Sequence, residues 1–128
     1  MPKPVWILEE TVAAIHNRQI SEHGGLPGVR DTGALASALE RPRQKHACGK
    51  PDNFELAAAY TYGLSANHPF HDGNKRTAYV TSLLFLRLNG YAIKTTDEDK
   101  FRTFLALAAG EMSEPDLAIW FRDHAVTA

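Results

Sequence analysis

The sequence predicts an all-α fold, a compact bundle of five or six helices with almost no strand. Apolar residues recur at spacings of three and four residues along most of the chain, which is the period of an amphipathic helix. Residues typical of helix caps and helix ends separate these segments. Two neighbouring segments, 52–68 and 74–89, are apolar almost all round and predict two buried helices at the centre of the fold.

The composition indicates one ordinary globular domain. A chain of 128 residues with 44% hydrophobic and 23% charged residues has the size and composition of a single soluble domain. Lys and Arg total 14 against 15 acidic residues and form no cluster, which argues against direct binding of nucleic acid. We therefore expect partners other than DNA or RNA.

The single cysteine and the lack of a long apolar segment predict the cellular compartment of the protein. Cys48 is the only cysteine, so no intramolecular disulfide can form and a reducing environment is favoured. The N-terminal segment lacks the pattern of a secretory signal, and the most apolar stretch, 80–88, contains Thr, Ser and Arg. We expect a cytoplasmic protein with no membrane segment.

The first helix is predicted over residues 9–22 and ends at two consecutive glycines. His16 lies on its apolar side, between Val12 and Ile20. A histidine in that position is typical of core packing or of a helix terminus more than of catalysis.

A glycine-rich turn region and a short helix follow. Residues 24–33 contain four glycines and a proline, and Asp31 or Thr32 then caps a predicted helix over 34–40. Residues 41–51 combine two prolines with five potentially basic side chains, which predicts an exposed, mobile loop. This loop is either a solvated connection or a surface that presents a partner.

The two central helices begin with recognisable signals. Asp52, followed three residues later by Glu55, predicts a capping box for a helix that runs toward His68. The second helix is predicted from Asn74 to Asn89, with Gly90 as its C-terminal stop.

The C-terminal third predicts a short extended segment and two more helices. Residues 91–94 are the extended segment, and Thr96 caps a helix that ends at Gly110. Its apolar residues at helical spacing are Phe101, Phe104, Leu105 and Ala108. Ser113 caps the last helix, whose apolar face carries Leu117, Trp120, Phe121 and His124.

A polar segment, His68–Arg76, separates the two central helices and carries the candidate chemistry. The Gly73–Asn74 pair opens a helix, so the first backbone N–H groups lack intrahelical partners and lie at the positive end of the helix dipole. Such an end binds anions, and phosphate is the natural ligand.

The side chains of this segment supply the remaining functions. Arg76 offers a planar fork and Lys75 a point charge for phosphate oxygens. Asp72 is a hard oxygen ligand suited to Mg²⁺, and His68 can accept a proton from an attacking hydroxyl.

Other residues of the segment have simpler interpretations. Phe70 is a core anchor that supports the loop, and His71 is a solvent-facing loop residue. Asn74 is a candidate helix N-cap, a role that does not exclude contact with phosphate. Cations at Lys75 and Arg76 oppose the helix dipole, which favours a bound anion beside them.

The segment His-Pro-Phe-His-Asp-Gly-Asn-Lys-Arg, 68–76, resembles the signature of the Fic/Doc family, His-x-Phe-x-Asp/Glu-Gly/Ala-Asn-Lys/Gly-Arg, at every fixed position. Residues 23–28 and 75–78 are similar to the death-on-curing (Doc) branch, so the resemblance covers essentially the whole chain, 1–128, as a single Fic/Doc domain. It implies a six-helix Fido-type fold. It also implies that His68 deprotonates a protein hydroxyl, Asp72 binds Mg²⁺, and Gly73, Asn74, Lys75 and Arg76 hold the phosphates of ATP.

The resemblance also implies a reaction. Most Fic proteins have glycine at the position of Lys75 and transfer AMP, whereas the Doc branch has lysine and transfers the γ-phosphate of ATP. The implied target is a threonine of elongation factor Tu, with arrest of translation and growth. No glutamate of the chain is followed by Gly or Asn, as the inhibitory helix of Fic proteins requires, so a separate antitoxin is the expected partner.

Three alternatives remain open from the sequence. The first is AMP transfer to a protein hydroxyl. The second is a metal-dependent phosphohydrolase that uses His71 and Asp72 with other histidines. The third is a binding module that has kept the fold without the activity.

Overall fold

The computed structural model describes residues 3–128, which form six helices and two short strands. These elements are α1 (Glu9–His23), α2 (Thr32–Cys48), α3 (Asn53–Asn67), α4 (Asn74–Leu88), β1 (Tyr91–Ile93), α5 (Asp97–Ala108), α6 (Glu114–His124) and β2 (Ala125–Thr127). The predicted all-α class is confirmed. Met1 and Pro2, at the start of the segment expected to lack a secretory signal, lie outside the described residues. No helix within 3–128 is long and apolar enough to span a bilayer.

Helices α3 and α4 form the centre of the molecule, as predicted. Each buries eight residues, and α3 packs against α2, α4 and α6. After Glu55 the sequence of α3 has no charged side chain, so the helix can be covered on several faces without burying an unpaired charge. The end of α3 and the start of α4 are thereby held together, and the connecting loop lies between them.

Helix α2 contradicts the sequence prediction. A short helix over 34–40 and a mobile loop over 41–51 were expected, but α2 continues to Cys48 with Pro42 buried in its interior. Pro42 has no N–H to donate to the carbonyl of Ala38, and that carbonyl faces Gly63 of α3, where an added Cβ would lie only 2.9 Å away. α2 therefore packs closely on α3 at the turn before this proline.

Ion pairs also hold the second half of α2. Arg41 and Lys45 both bond to Glu114 at the start of α6, the latter with an Nζ–Oε2 distance of 2.9 Å. Two of the five potentially basic side chains in the predicted loop thus hold α6. The Asp31 cap of α2 is confirmed, since its carboxylate accepts from the N–H of Ala34 at 3.0 Å.

The extended segment after α4 is confirmed as β1, and it has a partner that was not predicted. β1 pairs antiparallel with β2 at the C-terminus, with Tyr91 opposite Thr127 and Ile93 opposite Ala125. A three-residue strand is too short to show an alternating pattern, so only the pairing reveals it.

Helix α5 has the predicted start but not a fully buried apolar stripe. Thr96 caps it through the N–H of Asp99. Phe101 and Leu105 are 60% and 50% exposed, and Thr103 is the buried residue of the helix. α5 therefore lies at the rim of the bundle, beside the start of α4.

Candidate active site

The loop between α3 and α4 starts with a left-handed residue. His68 caps α3 with φ 47° and ψ 56°, a conformation that costs a non-glycine residue about 1 kcal/mol or more. This reverses the chain, so that Phe70 enters the core with 1% of its surface exposed while His68 stays at the surface. The prediction that Phe70 anchors the loop agrees with this burial.

A second segment, 28–31, holds the loop from outside. The carbonyl of Pro69 accepts from the N–H groups of Arg30 at 2.7 Å and Asp31 at 3.1 Å, and Val29 forms an isolated antiparallel bridge with Phe70. The Arg30 side chain donates through Nε to the carbonyl of His68 at 2.9 Å. Sequence reasoning missed Arg30, and its only signal was its place inside the glycine-rich region.

Asn74 closes the loop from inside. Its Oδ1 accepts from the N–H of Phe70 and its Nδ2 donates to the carbonyl of Phe70, both at 2.9 Å. Asn74 is the first residue of α4, and Gly73 takes the N-cap position for which Asn74 was the candidate. Its side chain is thus engaged with Phe70 on both its oxygen and its nitrogen, while its backbone N–H lies at the start of α4.

The start of α4 presents unpaired backbone donors. Gly73 provides no side-chain cap, and the first i to i−4 bond runs from the N–H of Thr77 to the carbonyl of Gly73 at 2.9 Å. The amides of residues 74–76 therefore have no acceptor one helical turn back. Free amides at the positive end of a helix dipole are the arrangement that favours anions, and phosphate binding here stays a prediction.

The two cations of the segment contact α5. Lys75 donates from Nζ to the carbonyl of Ala108 at 2.6 Å, near the negative end of the α5 dipole. The guanidinium of Arg76 lies 4.8 Å from the ring centroid of Phe104. These contacts make α5 the second wall of the site, which the sequence did not predict.

Asp72 is held on both its main chain and its side chain. Its carbonyl accepts from Nε2 of His16 at 2.7 Å, and its Oδ2 accepts from the N–H of Leu26 at 2.7 Å. A Cβ on Gly25 would lie 3.0 Å from the Cβ of Asp72, so glycine is needed for this approach. Leu26 uses only the Oδ2 atom of this carboxylate. A single carboxylate fits Mg²⁺, which commonly takes one or two carboxylates and keeps several waters.

One open cleft of about 390 Å³ brings the predicted residues together. It is lined by His68, Asp72 and residues 73–76, by His71, and by Phe104 and Ala108 of α5. His68, His71 and Asp72 are exposed, so a ligand in solution can reach all three. His68 and Asp72 therefore border the same cleft as the start of α4.

The phosphohydrolase alternative requires a cluster of metal ligands. Within residues 3–128, no group of three or more His, Cys, Asp or Glu side chains is arranged to hold a metal ion. His71 and Asp72 thus lack the additional ligands that such a transition-metal site uses.

Comparison with known proteins identifies the family of the chain. The model of the Fic/DOC family matches residues 6–86, which include the whole loop between α3 and α4. The chain is 37% identical to "Protein kinase doc" of Escherichia phage P1 over 113 residues, covering 88% of this chain and 89% of that protein. It is 41% identical to "Toxin Doc" of Mycolicibacterium smegmatis over 69 residues, covering 52% of this chain and 53% of that one. This chain therefore belongs to the Fic/DOC family.

Proposed function

We propose that this protein is a Doc-like toxin that acts as a protein kinase and transfers the γ-phosphate of ATP to a Ser or Thr hydroxyl of a target protein. The observation that supports the proposal is the shared cleft, which is lined by His68, by Asp72 and by the first residues of α4, where no side chain caps the helix. The similarity to a protein named as a kinase supports the same reaction.

Each group has a defined role in the transfer. His68 accepts the proton of the acceptor hydroxyl, whose oxygen forms the new bond to the γ-phosphorus. The bond between that phosphorus and the β–γ bridging oxygen breaks, and ADP leaves. The amides at the start of α4 and the Arg76 guanidinium bind and orient the phosphate oxygens. Asp72 would hold Mg²⁺, which supplies charge neutralisation between the phosphates when it is bound.

Lys75 favours phosphoryl transfer over AMP transfer. Its side chain extends from the start of α4 to the carbonyl of Ala108, across space that glycine would leave open in the cleft. A nucleotide must then place its phosphates differently from one bound beside a glycine. The proposal is that this arrangement presents the γ-phosphate, and not the α-phosphate, to His68.

Incubation with ATP labelled at either the α or the γ phosphorus tests the reaction. The purified protein and a bacterial extract depleted of nucleotides should yield labelled protein from γ-labelled ATP only, and His68→Ala should abolish it. Label retained from α-labelled ATP would replace the kinase proposal with AMP transfer. A cellular effect that persists in His68→Ala, with no transfer by either protein, would favour a binding module.

The target and partner are proposed from the family resemblance. We propose that a threonine of elongation factor Tu is the acceptor, that its modification arrests translation and growth in the cytoplasm, and that a separate antitoxin protein restrains the enzyme. Intact-mass and peptide mass spectrometry of cells expressing the protein tests the target. An added mass of one phosphate on elongation factor Tu, absent with His68→Ala, is the expected result, and a modified protein of another identity would overturn it.

A further inference from the structure

His16 is a polar side chain buried beneath the loop between α3 and α4. It is 1% exposed, and Val12 is the other buried residue of α1. Burial of an imidazole is unfavourable unless its polar atoms find partners, so a purely apolar side chain would pack here at lower cost. The contacts of the ring therefore indicate more than core packing.

The ring contacts three successive parts of the loop. It stacks on Phe70 with ring centroids 3.8 Å apart and planes 6° from parallel. Its Nε2 lies 2.7 Å from the carbonyl oxygen of Asp72, and a Cβ placed on Gly73 would be 3.8 Å from the same Nε2. Because a carbonyl can only accept, Nε2 carries the hydrogen of this bond.

The hydrogen bond to Asp72 controls the peptide that precedes α4. In a planar trans peptide the carbonyl and the N–H point in opposite directions. A carbonyl of Asp72 turned toward the buried His16 therefore directs the N–H of Gly73 away from His16. That N–H belongs to the residue that caps α4 and lines the cleft.

The same bond also changes the strength of that donor. A hydrogen bond accepted by the carbonyl of an amide polarises the amide and strengthens the bond that its N–H donates. His16 thus acts on the anion-binding end of α4 without touching the anion.

We infer that His16 is a positioning residue, which orients and polarises the Asp72–Gly73 peptide so that the Gly73 N–H binds a phosphate of the nucleotide. This inference rests on the proposed function only in assuming that the cleft binds phosphate.

Two substitutions separate the hydrogen bond from the packing. His16→Phe keeps an aromatic ring to stack on Phe70 but removes the donor. His16→Gln removes the ring but places an amide N–H at nearly the position of Nε2. If His16 only packs against Phe70, His16→Phe should retain more activity than His16→Gln. If His16 positions the peptide through its hydrogen bond, His16→Gln should retain more.

The kinetic readout is kcat/KM for ATP, with each variant shown to be folded by circular dichroism and thermal unfolding. His16→Phe should lower kcat/KM about tenfold, the loss expected for one hydrogen bond, and His16→Gln should stay within about threefold of the wild type. Wild-type kcat/KM in folded His16→Phe, or an equal loss in both variants, would overturn the inference.

A binding readout distinguishes failure of this inference from failure of the proposed function. The Gly73 amide resonance of ¹⁵N-labelled protein is followed during titration with inorganic tripolyphosphate. It should shift in the wild type and in His16→Gln, and less in His16→Phe. If the wild type transfers no phosphate from ATP but this order holds, the kinase proposal fails and the inference stands. If ATP transfer is present but the Gly73 resonance responds equally in all three proteins, the inference fails alone.

Discussion

The Nζ of Lys75 lies 2.6 Å from the carbonyl oxygen of Ala108, so one side chain joins the start of α4 to the end of α5 across the cleft. The Lys75 side chain fills part of the cleft that would be open if residue 75 were glycine.

The contact predicts the outcome of substituting Lys75. Lys75→Gly should reduce transfer of the γ-phosphate at least about tenfold, because one charge-assisted contact and the shape of the cleft are both lost. The free energy of unfolding should fall by no more than about 1 kcal/mol, because glycine is a poor helix former but Lys75 is exposed in the first turn of α4. Labelling with α- and γ-labelled ATP measures the first effect.

Lys75→Met is the matched control, because it keeps most of the side-chain volume without the charge. If occupation of the cleft selects the reaction, label from α-labelled ATP will appear only in Lys75→Gly. Label from the α-phosphate in both variants would show that charge, and not volume, makes the selection.

Replacing Asn74 should lower stability and activity together. Asn74→Ala removes both hydrogen bonds to Phe70, each 2.9 Å long, which close the loop from inside. We expect the free energy of unfolding to fall by about 2 kcal/mol, measured by urea denaturation, and ATP transfer to become hard to detect. Asn74→Asp keeps the acceptor but opposes a carboxylate to the Phe70 carbonyl, so it should rescue neither property.

Replacing Tyr79 with phenylalanine should stabilise the protein. The Tyr79 hydroxyl is buried and has no hydrogen-bond partner among residues 3–128, and burial, with a smaller contribution from Asp99, raises the pKa of Tyr79 well above its usual value. Tyr79→Phe removes this unsatisfied group and keeps the ring, so the free energy of unfolding should rise by about 1 kcal/mol. Urea denaturation measures the free energy of unfolding of both proteins. A decrease of about 1 kcal/mol in Tyr79→Phe would show that the hydroxyl makes a hydrogen bond in the native protein.

Glu114 predicts a pH dependence of stability. Burial opposes ionisation of Glu114, but hydrogen bonds and charge from Lys45 and Arg41 outweigh it and hold the pKa below its ordinary value of 4.5. Since the pKa is lower in the folded state, this contribution is present above about pH 4.5 and is lost as the pH falls through the folded pKa.

The measurement compares the wild type with Glu114→Gln. At pH 7 the substitution should lower the free energy of unfolding by less than about 1 kcal/mol, because half of the Arg41 side chain is solvent-exposed. The difference between the two proteins should shrink below pH 4.5. A difference that is constant across this range would show that the ion pairs do not act through the charge of Glu114.

Local signals in the sequence determined most of the helices and the position of the site. The capping box at Asp52, the caps at Thr96 and Ser113, and the all-round apolar pattern of α4 depend on residues a few positions apart. The segment 68–76 likewise carries its imidazole, its carboxylate and its helix start within one stretch. Such features can be predicted because each depends on neighbouring residues.

Tertiary structure alone decided the features that join distant segments. α2 continues through Pro42 where it packs on Gly63 and pairs with Glu114, and β2 is recognised by its pairing with β1. His16 meets Asp72 across 56 positions of the chain. The local sequence of each segment leaves these contacts undetermined, because their free energy is gained only when the other segment is packed beside it.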